Sequence, residues 1–248
     1  MRRLVFVSIS ILVLLLGPIS ENMAKEPNDL STILNRTRQL ISEGKITEAL
    51  ELLQEVSKRV DIMETENLKM QEEFLWERAM HHLDFSNKLT NRDQYIAYAT
   101  LAHEYWRDYI NWYERLFPEN RAKLPKSNIR IKMATAHLGN CIIRMGEPRR
   151  LFQEYSEISN VDYLGVDAID LWKSWLYACP DMRPVQSSER TIELRRKKIC
   201  DESCKEDWIS YADIVDQWAK VENLNANARL QRLREVNQIK ETAKRCQY

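Results

Sequence analysis

The segment IRIKMATAHLGNCIIRMGEPRRLFQEYSEI, residues 129–158, indicates the fold of this 248-residue chain. Residues 129–145 and 149–158 carry apolar side chains at the spacing of one helix face, and a Gly-Glu-Pro turn separates them. The whole chain contains only 5 glycines, whereas average usage of roughly 7% would give about 17. Tight β-hairpin turns depend on glycine because they need positive φ angles. The sequence therefore predicts an all-α fold made of helix pairs joined by short loops.

Helical spacing continues outward from this segment in both directions, and no stretch alternates apolar and polar residues as a strand would. The stretch over residues 208–244 changes the phase of its apolar stripe near three asparagines, so we predict a turn at 223–227 that makes it an antiparallel hairpin. The other predicted helices cover residues 30–43, 46–59, 70–83, 94–117, 163–179 and 188 towards 204, with loops at 119–127 and 180–188.

Two stretches resemble the tetratricopeptide repeat, a helix–turn–helix unit of about 34 residues. In the stronger, residues 138–155, Gly139 follows a leucine and would let the two helices approach closely, and Gly146 would take the turn. The weaker, residues 44–53, has Gly44 at the turn, 102 residues before Gly146, which is three such periods. The intervening periods lack their turn glycines, and Leu151 and Ile158 stand where the family prefers alanine.

The resemblance implies antiparallel helix hairpins stacked as a divergent tetratricopeptide-like array over residues 25–180, with a surface for a protein partner. Residues 181–248 are predicted to be a separate, cysteine-containing hairpin region. The alternative is an irregular all-α domain that merely contains such hairpins.

The first 24 residues predict export. Arg2 and Arg3 give a short basic start, and residues 4–16 are apolar apart from two serines, which is typical of a signal peptide. This run is shorter than the roughly 20 residues that a membrane-spanning helix needs. Cleavage near Ser20 or Ala24 would release a periplasmic or extracellular protein, whereas an uncleaved segment would anchor it to the membrane.

Charge and motifs narrow the functional classes. The chain has 37 basic and 37 acidic residues, so it lacks the basic footprint of a nucleic-acid-binding protein. It contains no zinc-protease, nucleophile-elbow or phosphate-loop motif, and we expect neither a catalytic site nor a cofactor. An enzyme or enzyme accessory subunit without a known motif remains an alternative, which a pocket joining His82, His103 or His137 to carboxylates would favour.

Five cysteines are consistent with an exported protein, because disulfides persist outside the cytosol. Cys141 lies inside the stretch 138–155 that most resembles the repeat, and it is expected to be a buried free thiol. The other four, Cys179, Cys200, Cys204 and Cys246, allow three pairings. The predicted hairpin returns Cys246 to the neighbourhood of Cys200 and Cys204, so we predict a disulfide between Cys246 and one of them.

The helix predicted at 94–117 is unusually rich in tyrosine and tryptophan, and these residues occupy more than one of its faces. Most would pack between layers, and the remainder would line a concave groove where their large, partly polar rings suit binding. The candidates are Tyr98, Tyr105, Trp106, Tyr109, Trp112 and Tyr113. The sequence therefore predicts an exported, non-enzymatic protein that binds or scaffolds a protein or peptide partner, with carbohydrate or small-ligand binding by this aromatic helix as the alternative.

Overall fold

The computed structural model describes residues 29–59, 67–124, 126–158 and 160–246. The predicted signal peptide, residues 1–24, lies outside these described residues. Every regular element within them is helical and none is a strand, so the prediction of an all-α fold is confirmed. No described helix is both long enough and apolar enough to cross a lipid bilayer.

Eleven α-helices and two 3-10 turns make up the regular structure of the described residues. The 3-10 turns cover Val161–Tyr163 and Ser187–Glu189. In chain order the α-helices are α1 (Leu30–Ser42), α2 (Ile46–Val56), α3 (Leu68–Ser86), α4 (Arg92–Arg115), α5 (Pro118–Arg121), α6 (Ser127–Arg144), α7 (Pro148–Ser156), α8 (Val166–Leu176), α9 (Ile192–Ile199), α10 (Lys205–Val221) and α11 (Ala226–Arg245).

Local side-chain chemistry fixes where several helices begin. Asp29, Asn67, Asn91, Thr191 and Asn225 each accept a hydrogen bond from a backbone N–H of the first helical turn. Such caps satisfy donors that have no partner within the helix, and each contributes about 1 kcal/mol. The predicted turn at 223–227 is one of these places, because α10 ends at residue 221 and α11 begins at 226.

Glycine makes two of the turns and one close helix contact possible. Gly44 lies in the α1–α2 turn, and Gly146 lies in the α6–α7 turn. Their φ angles are 77° and 81°, values that other residues rarely adopt. A Cβ at Gly139 would overlap the hydroxyl oxygen of Tyr155 and would lie 2.9 Å from Leu151 Cδ1. The α6 backbone therefore lies directly against the side chains of α7.

The buried apolar residues form two clusters that share α6. The first extends from α1 to α6 and the second from α6 to α11. Within α6, Ile131 and Leu138 belong to the first cluster, whereas Ala136 and Ile142 belong to the second. α7 and α8 share the second cluster with α10 and α11, so this cluster contains residues on both sides of residue 180.

Three predicted segments differ from the structure. The helix predicted over 163–179 covers only Val166–Leu176 and follows a 3-10 turn that ends at residue 163. Most of α5 lies within the loop predicted over 119–127. The helix predicted from 188 towards 204 covers only Ile192–Ile199. It ends early because residues 201–204 form a turn, in which Asp201 Oδ1 accepts a hydrogen bond from the Ser203 N–H.

Candidate binding grooves

The aromatic helix α4 does not present its rings as a binding surface. Tyr105, Trp106, Tyr109 and Tyr113 are all buried, which corrects their assignment to an exposed groove. Tyr98 and Trp112 are half-buried, so only these two of the six candidate binding residues remain partly accessible, and they do not form a continuous surface. The reason is that α3 and α6 both pack against α4 and cover these rings.

The buried rings are held by specific partners. Trp106 lies edge-on to Trp76, with ring centroids 5.1 Å apart, and stacks on His137 at 5.0 Å. The Tyr109 hydroxyl donates to Glu72 Oε1 at 3.1 Å. Offset and edge-to-face ring pairs of this kind add to the free energy of burial. These aromatic residues therefore build the interior between α3, α4 and α6.

A buried carboxylate, Glu72, accompanies this aromatic interior. Burial raises the pKa of Glu72, and the nearby charge of Arg130 and the hydrogen bond from Tyr109 only partly oppose that rise. Arg130 Nη1 lies 3.4 Å from Glu72 Oε2, and Arg130 Nη2 lies 3.0 Å from Glu73 Oε1. None of the cavities described below is lined by Glu72, so these contacts connect α3, α4 and α6 without facing a substrate space.

One histidine meets a carboxylate, as the enzyme alternative requires. His103 Nε2 lies 3.1 Å from Glu154 Oε1, which also accepts from Arg150 Nε at 2.8 Å, and Arg107 Nη2 lies 3.3 Å from Oε2. Burial alone would raise the pKa of Glu154, but the His103 hydrogen bond and the surrounding positive charges outweigh burial and lower it. Glu154 is therefore a largely buried but ionised carboxylate, whose contacts with His103 and Arg107 hold α7 against α4.

The cavity beside this cluster is small. Its volume is about 190 Å³, and Glu154 and Arg107 line it together with Thr135 and Tyr163. No histidine lines this cavity, and His82 and His137 line none of the others described here. In the described part of the chain, no group of three or more His, Cys, Asp or Glu residues is placed to hold a metal ion. His103 therefore contacts a carboxylate, Glu154, that lines this cavity, but His103 itself is not part of the lining.

A larger polar cavity of about 690 Å³ lies between α5, α6 and the end of α10. Asn128, Asn160 and Asp162 line it, together with Arg121, whose guanidinium lies 5.0 Å from the Tyr113 ring. Tyr113 is buried, so this cavity offers no open aromatic face on which a sugar ring could stack. It does not support the carbohydrate alternative.

Two disulfides hold the C-terminal half. Cys179 pairs with Cys204 and Cys200 pairs with Cys246, with Cα–Cα distances of 5.9 and 5.3 Å. The predicted link from Cys246 to Cys200 or Cys204 is therefore present, and Cys141 is a buried free cysteine as predicted. Disulfides of this kind indicate an oxidising, non-cytoplasmic compartment.

An apolar groove of about 520 Å³ opens beside the Cys179–Cys204 disulfide, and we call it the tryptophan groove. Trp175 and Met182 are both half-buried and form part of its wall. Arg149 is half-exposed at the edge, with Nη1 4.0 Å from Asp207. The complete lining is Ile143, Gly146, Glu147, Pro148, Arg149, Arg150, Trp175 and Met182.

Met182 holds an unusual backbone conformation at this groove. Its φ of 53° is left-handed, which costs a non-glycine residue about 1–2 kcal/mol. The Met182 N–H donates to the Ala178 carbonyl at 2.8 Å, and the neighbouring Cys179 is tied to Cys204. The fold thus fixes this side chain in the groove wall, and backbone strain of this kind is concentrated at functional sites.

The sequence offered only a weak signal for this groove. Trp172 and Trp175 lie three residues apart on α8, and Trp172 is completely buried whereas Trp175 is half-exposed. Because tryptophan is enriched at interfaces, a second tryptophan outside the core stripe of a helix is a candidate for binding. Met182 carried no such signal, because its placement depends on a disulfide whose partner lies 25 residues away from Cys179.

The sequence comparisons do not assign this chain to a protein family. No protein-family model matches this chain, and no curated protein sequence matches it.

Proposed function

We propose that this chain is an exported, non-enzymatic helical protein that binds a segment of a partner protein in the tryptophan groove, in the periplasm or outside the cell. The observation that carries the proposal is that two half-buried residues, Trp175 and Met182, line an apolar groove with Arg149 at its edge. Export of the chain rests on the predicted signal peptide, and the two disulfides support it.

The residue types in the groove are those that dominate protein interfaces. Tryptophan and arginine are enriched among the residues that contribute most binding energy, and such residues cluster in pockets that exclude water. Methionine adapts its flexible, polarisable side chain to different partners. Arg149 adds a positive charge that favours a carboxylate on the partner, next to an apolar side chain that enters the groove.

We further propose that the helix pairs form a scaffold of the tetratricopeptide kind that positions this groove. Four sequence-adjacent pairs support it by packing together: α1 with α2, α3 with α4, α6 with α7, and α10 with α11. The groove includes Gly146 and Pro148 of the α6–α7 turn, which belongs to the stretch that most resembles the repeat. The proposed binding site would then use the end of one helix pair.

Selection of random peptides on the oxidised protein, followed by affinity measurements on variants, tests this function. Trp175→Ala should weaken the selected peptides about 30-fold, the effect of losing about 2 kcal/mol at an interface hot spot. Trp112→Ala is the matched control, because Trp112 is also half-buried but lies on α4. It should leave peptide affinity unchanged while circular dichroism confirms the fold of both variants.

Failure to select any peptide, or equal binding by the wild type and Trp175→Ala, would contradict the proposed function. Loss of binding in Trp112→Ala alone would instead restore the aromatic-helix alternative. N-terminal sequencing of the protein from its native cells tests export separately, and a mature chain that begins near Ser20 or Ala24 is expected.

A further inference from the structure

Basic residues are concentrated on α9 although the chain as a whole is neutral. Residues 190–199 have the sequence RTIELRRKKI, with five basic residues and one acidic residue. Arg196 and Lys197 are exposed, and neither has an ion pair or a side-chain hydrogen bond among the described residues. This short segment therefore presents a local excess of positive charge to solvent.

The helix that carries this charge is held by two disulfides as well as by packing. α9 has eight residues and buries only Arg195 and Ile199. It lies inside the loop closed by Cys179–Cys204, and Cys200 at its end is bonded to Cys246. The two disulfides therefore add to the contacts of Arg195 and Ile199 in fixing the position of α9.

A groove of about 470 Å³ lies between α8, α9 and α11, and we call it the basic groove. Lys173 Nζ and Arg195 Nη1 lie 2.6 and 2.8 Å from the same oxygen of Glu235. Arg234 adds a third cation that has no ion pair among the described residues. Three cations against one carboxylate leave the groove with an excess of two positive charges.

Apolar and amide side chains complete the basic groove. Ile192 is 74% exposed and Leu230 is 47% exposed, and both residues line this groove. Asn227 and Gln231 lie on the same exposed face of α11 as Leu230. Gln238 accepts from Arg195 Nη2 at 2.8 Å through its oxygen, so its NH2 group remains available as a donor.

We infer that the basic groove is a second binding site, specific for an acidic segment of a polypeptide. Carboxylates of the segment would pair with Arg234 and the cations around Glu235, while apolar side chains contact Ile192 and Leu230. Amide side chains such as Asn227 suit the donors and acceptors of a peptide backbone. The charge complementarity would speed association and favour acidic partners over others.

Other polyanions fit the basic groove less well. A bilayer surface cannot enter a concavity between three helices, and lipid binding generally uses a protruding amphipathic face. A nucleic-acid backbone is recognised mainly through its phosphates, which would not use Ile192 and Leu230.

The basic groove is separate from the tryptophan groove. Lys173 and Trp175 both belong to α8, and two residues along an α-helix correspond to a rotation of about 200°. The two side chains therefore leave α8 on nearly opposite faces. Both sites can be occupied together, which would let one chain join two partners.

Fluorescence anisotropy with a labelled decapeptide of alternating glutamate and leucine tests this inference on the full oxidised protein. The wild type should bind this probe at low ionic strength and lose affinity as salt is added, because exposed charges are screened. A glutamine–leucine decapeptide is the uncharged control. Arg234→Glu should weaken the acidic probe at least about 10-fold, and Ile192→Ser should weaken it measurably at low and high salt.

Arg36→Glu is the matched charge reversal, because Arg36 is an exposed arginine on α1 that lies far away in the sequence. It should bind like the wild type. Equal losses in Arg36→Glu and Arg234→Glu would overturn the basic groove, since they would reduce the effect to net charge. So would preferential binding of phosphatidylglycerol vesicles or a DNA oligonucleotide over the acidic decapeptide.

Trp175→Ala separates this inference from the proposed function. It should keep full affinity for the acidic decapeptide while it loses the peptides selected on the tryptophan groove. Loss of both ligands in Trp175→Ala would overturn the assignment of two independent sites.

Discussion

Gly139 is the position where a single methyl group should disturb this fold most clearly. A Cβ there would overlap the Tyr155 hydroxyl oxygen and would lie 2.8 Å from Tyr155 Cζ. Tyr155 is completely buried, and its hydroxyl donates to the Thr135 carbonyl at 2.9 Å. The ring would have to shift within the core to relieve this overlap, so Gly139→Ala should force α7 away from α6.

The expected cost combines three effects. Overpacking a core costs about 1–3 kcal/mol, and loss of the Tyr155 hydrogen bond costs about 1 kcal/mol. Alanine favours the helix over glycine by about 1 kcal/mol, which offsets part of the loss. The net effect of Gly139→Ala should be a decrease of about 2 kcal/mol in the free energy of unfolding, or roughly 4–8 °C in Tm for a domain of this size.

A double-mutant cycle with Tyr155→Phe tests the cause of this loss. Removing the hydroxyl relieves the closest overlap, so Gly139→Ala should cost less in the Tyr155→Phe background than in the wild type. Thermal unfolding followed by circular dichroism gives the four values. Additive effects, or a Gly139→Ala protein as stable as the wild type, would refute the proposed contact between the α6 backbone and Tyr155.

The disulfides, the free thiol and a buried histidine each give a measurable expectation. Replacing Cys200 and Cys246 together by alanine should lower the free energy of unfolding by about 4 kcal/mol, because their bond closes a long loop; an unchanged urea midpoint would argue against that bond. Burial raises the pKa of the Cys141 thiol to about 12, so maleimide labelling at pH 8 should occur only after denaturation; native labelling would show that the thiol is accessible. Burial lowers the pKa of His82 from 6.5 to about 4. As pH falls from 6.5 to about 4, only the unfolded state therefore binds a proton at His82. The free energy of unfolding should decrease by up to roughly 3 kcal/mol over this range. His82→Gln should remove that part of the pH dependence, and an identical slope would exclude His82 as its source.

The helices were predictable because each carries an apolar stripe and a recognisable start or end. The turn at 223–227 is an example, since three asparagines coincide with a change in stripe phase and Asn225 caps α11. The end of α9 was not predictable in the same way. Residues 201–204 form a turn between Cys200 and Cys204, whose disulfide partners, Cys246 and Cys179, lie far away in the sequence.

The candidate site was less predictable than the fold. Aromatic residues on several faces of α4 suggested an exposed groove, but α3 and α6 cover those faces, and only tertiary packing reveals this. The tryptophan groove combines Ile143, Trp175 and Met182, which belong to three separate segments. No local spacing relates them, because the disulfide and the helix packing bring them together.

The Cys179–Cys204 disulfide also has a consequence for the exposed loop that precedes α9. Asp181, Arg183 and Pro184 are solvent-exposed in a stretch without α-helix, the kind of site that proteases outside the cytosol attack first. A single cut there would leave the two chain pieces covalently joined through this bond, since one cysteine lies on each side of the cut. The nicked protein would keep its molecular mass under oxidising conditions and separate into two fragments only in the presence of a reductant.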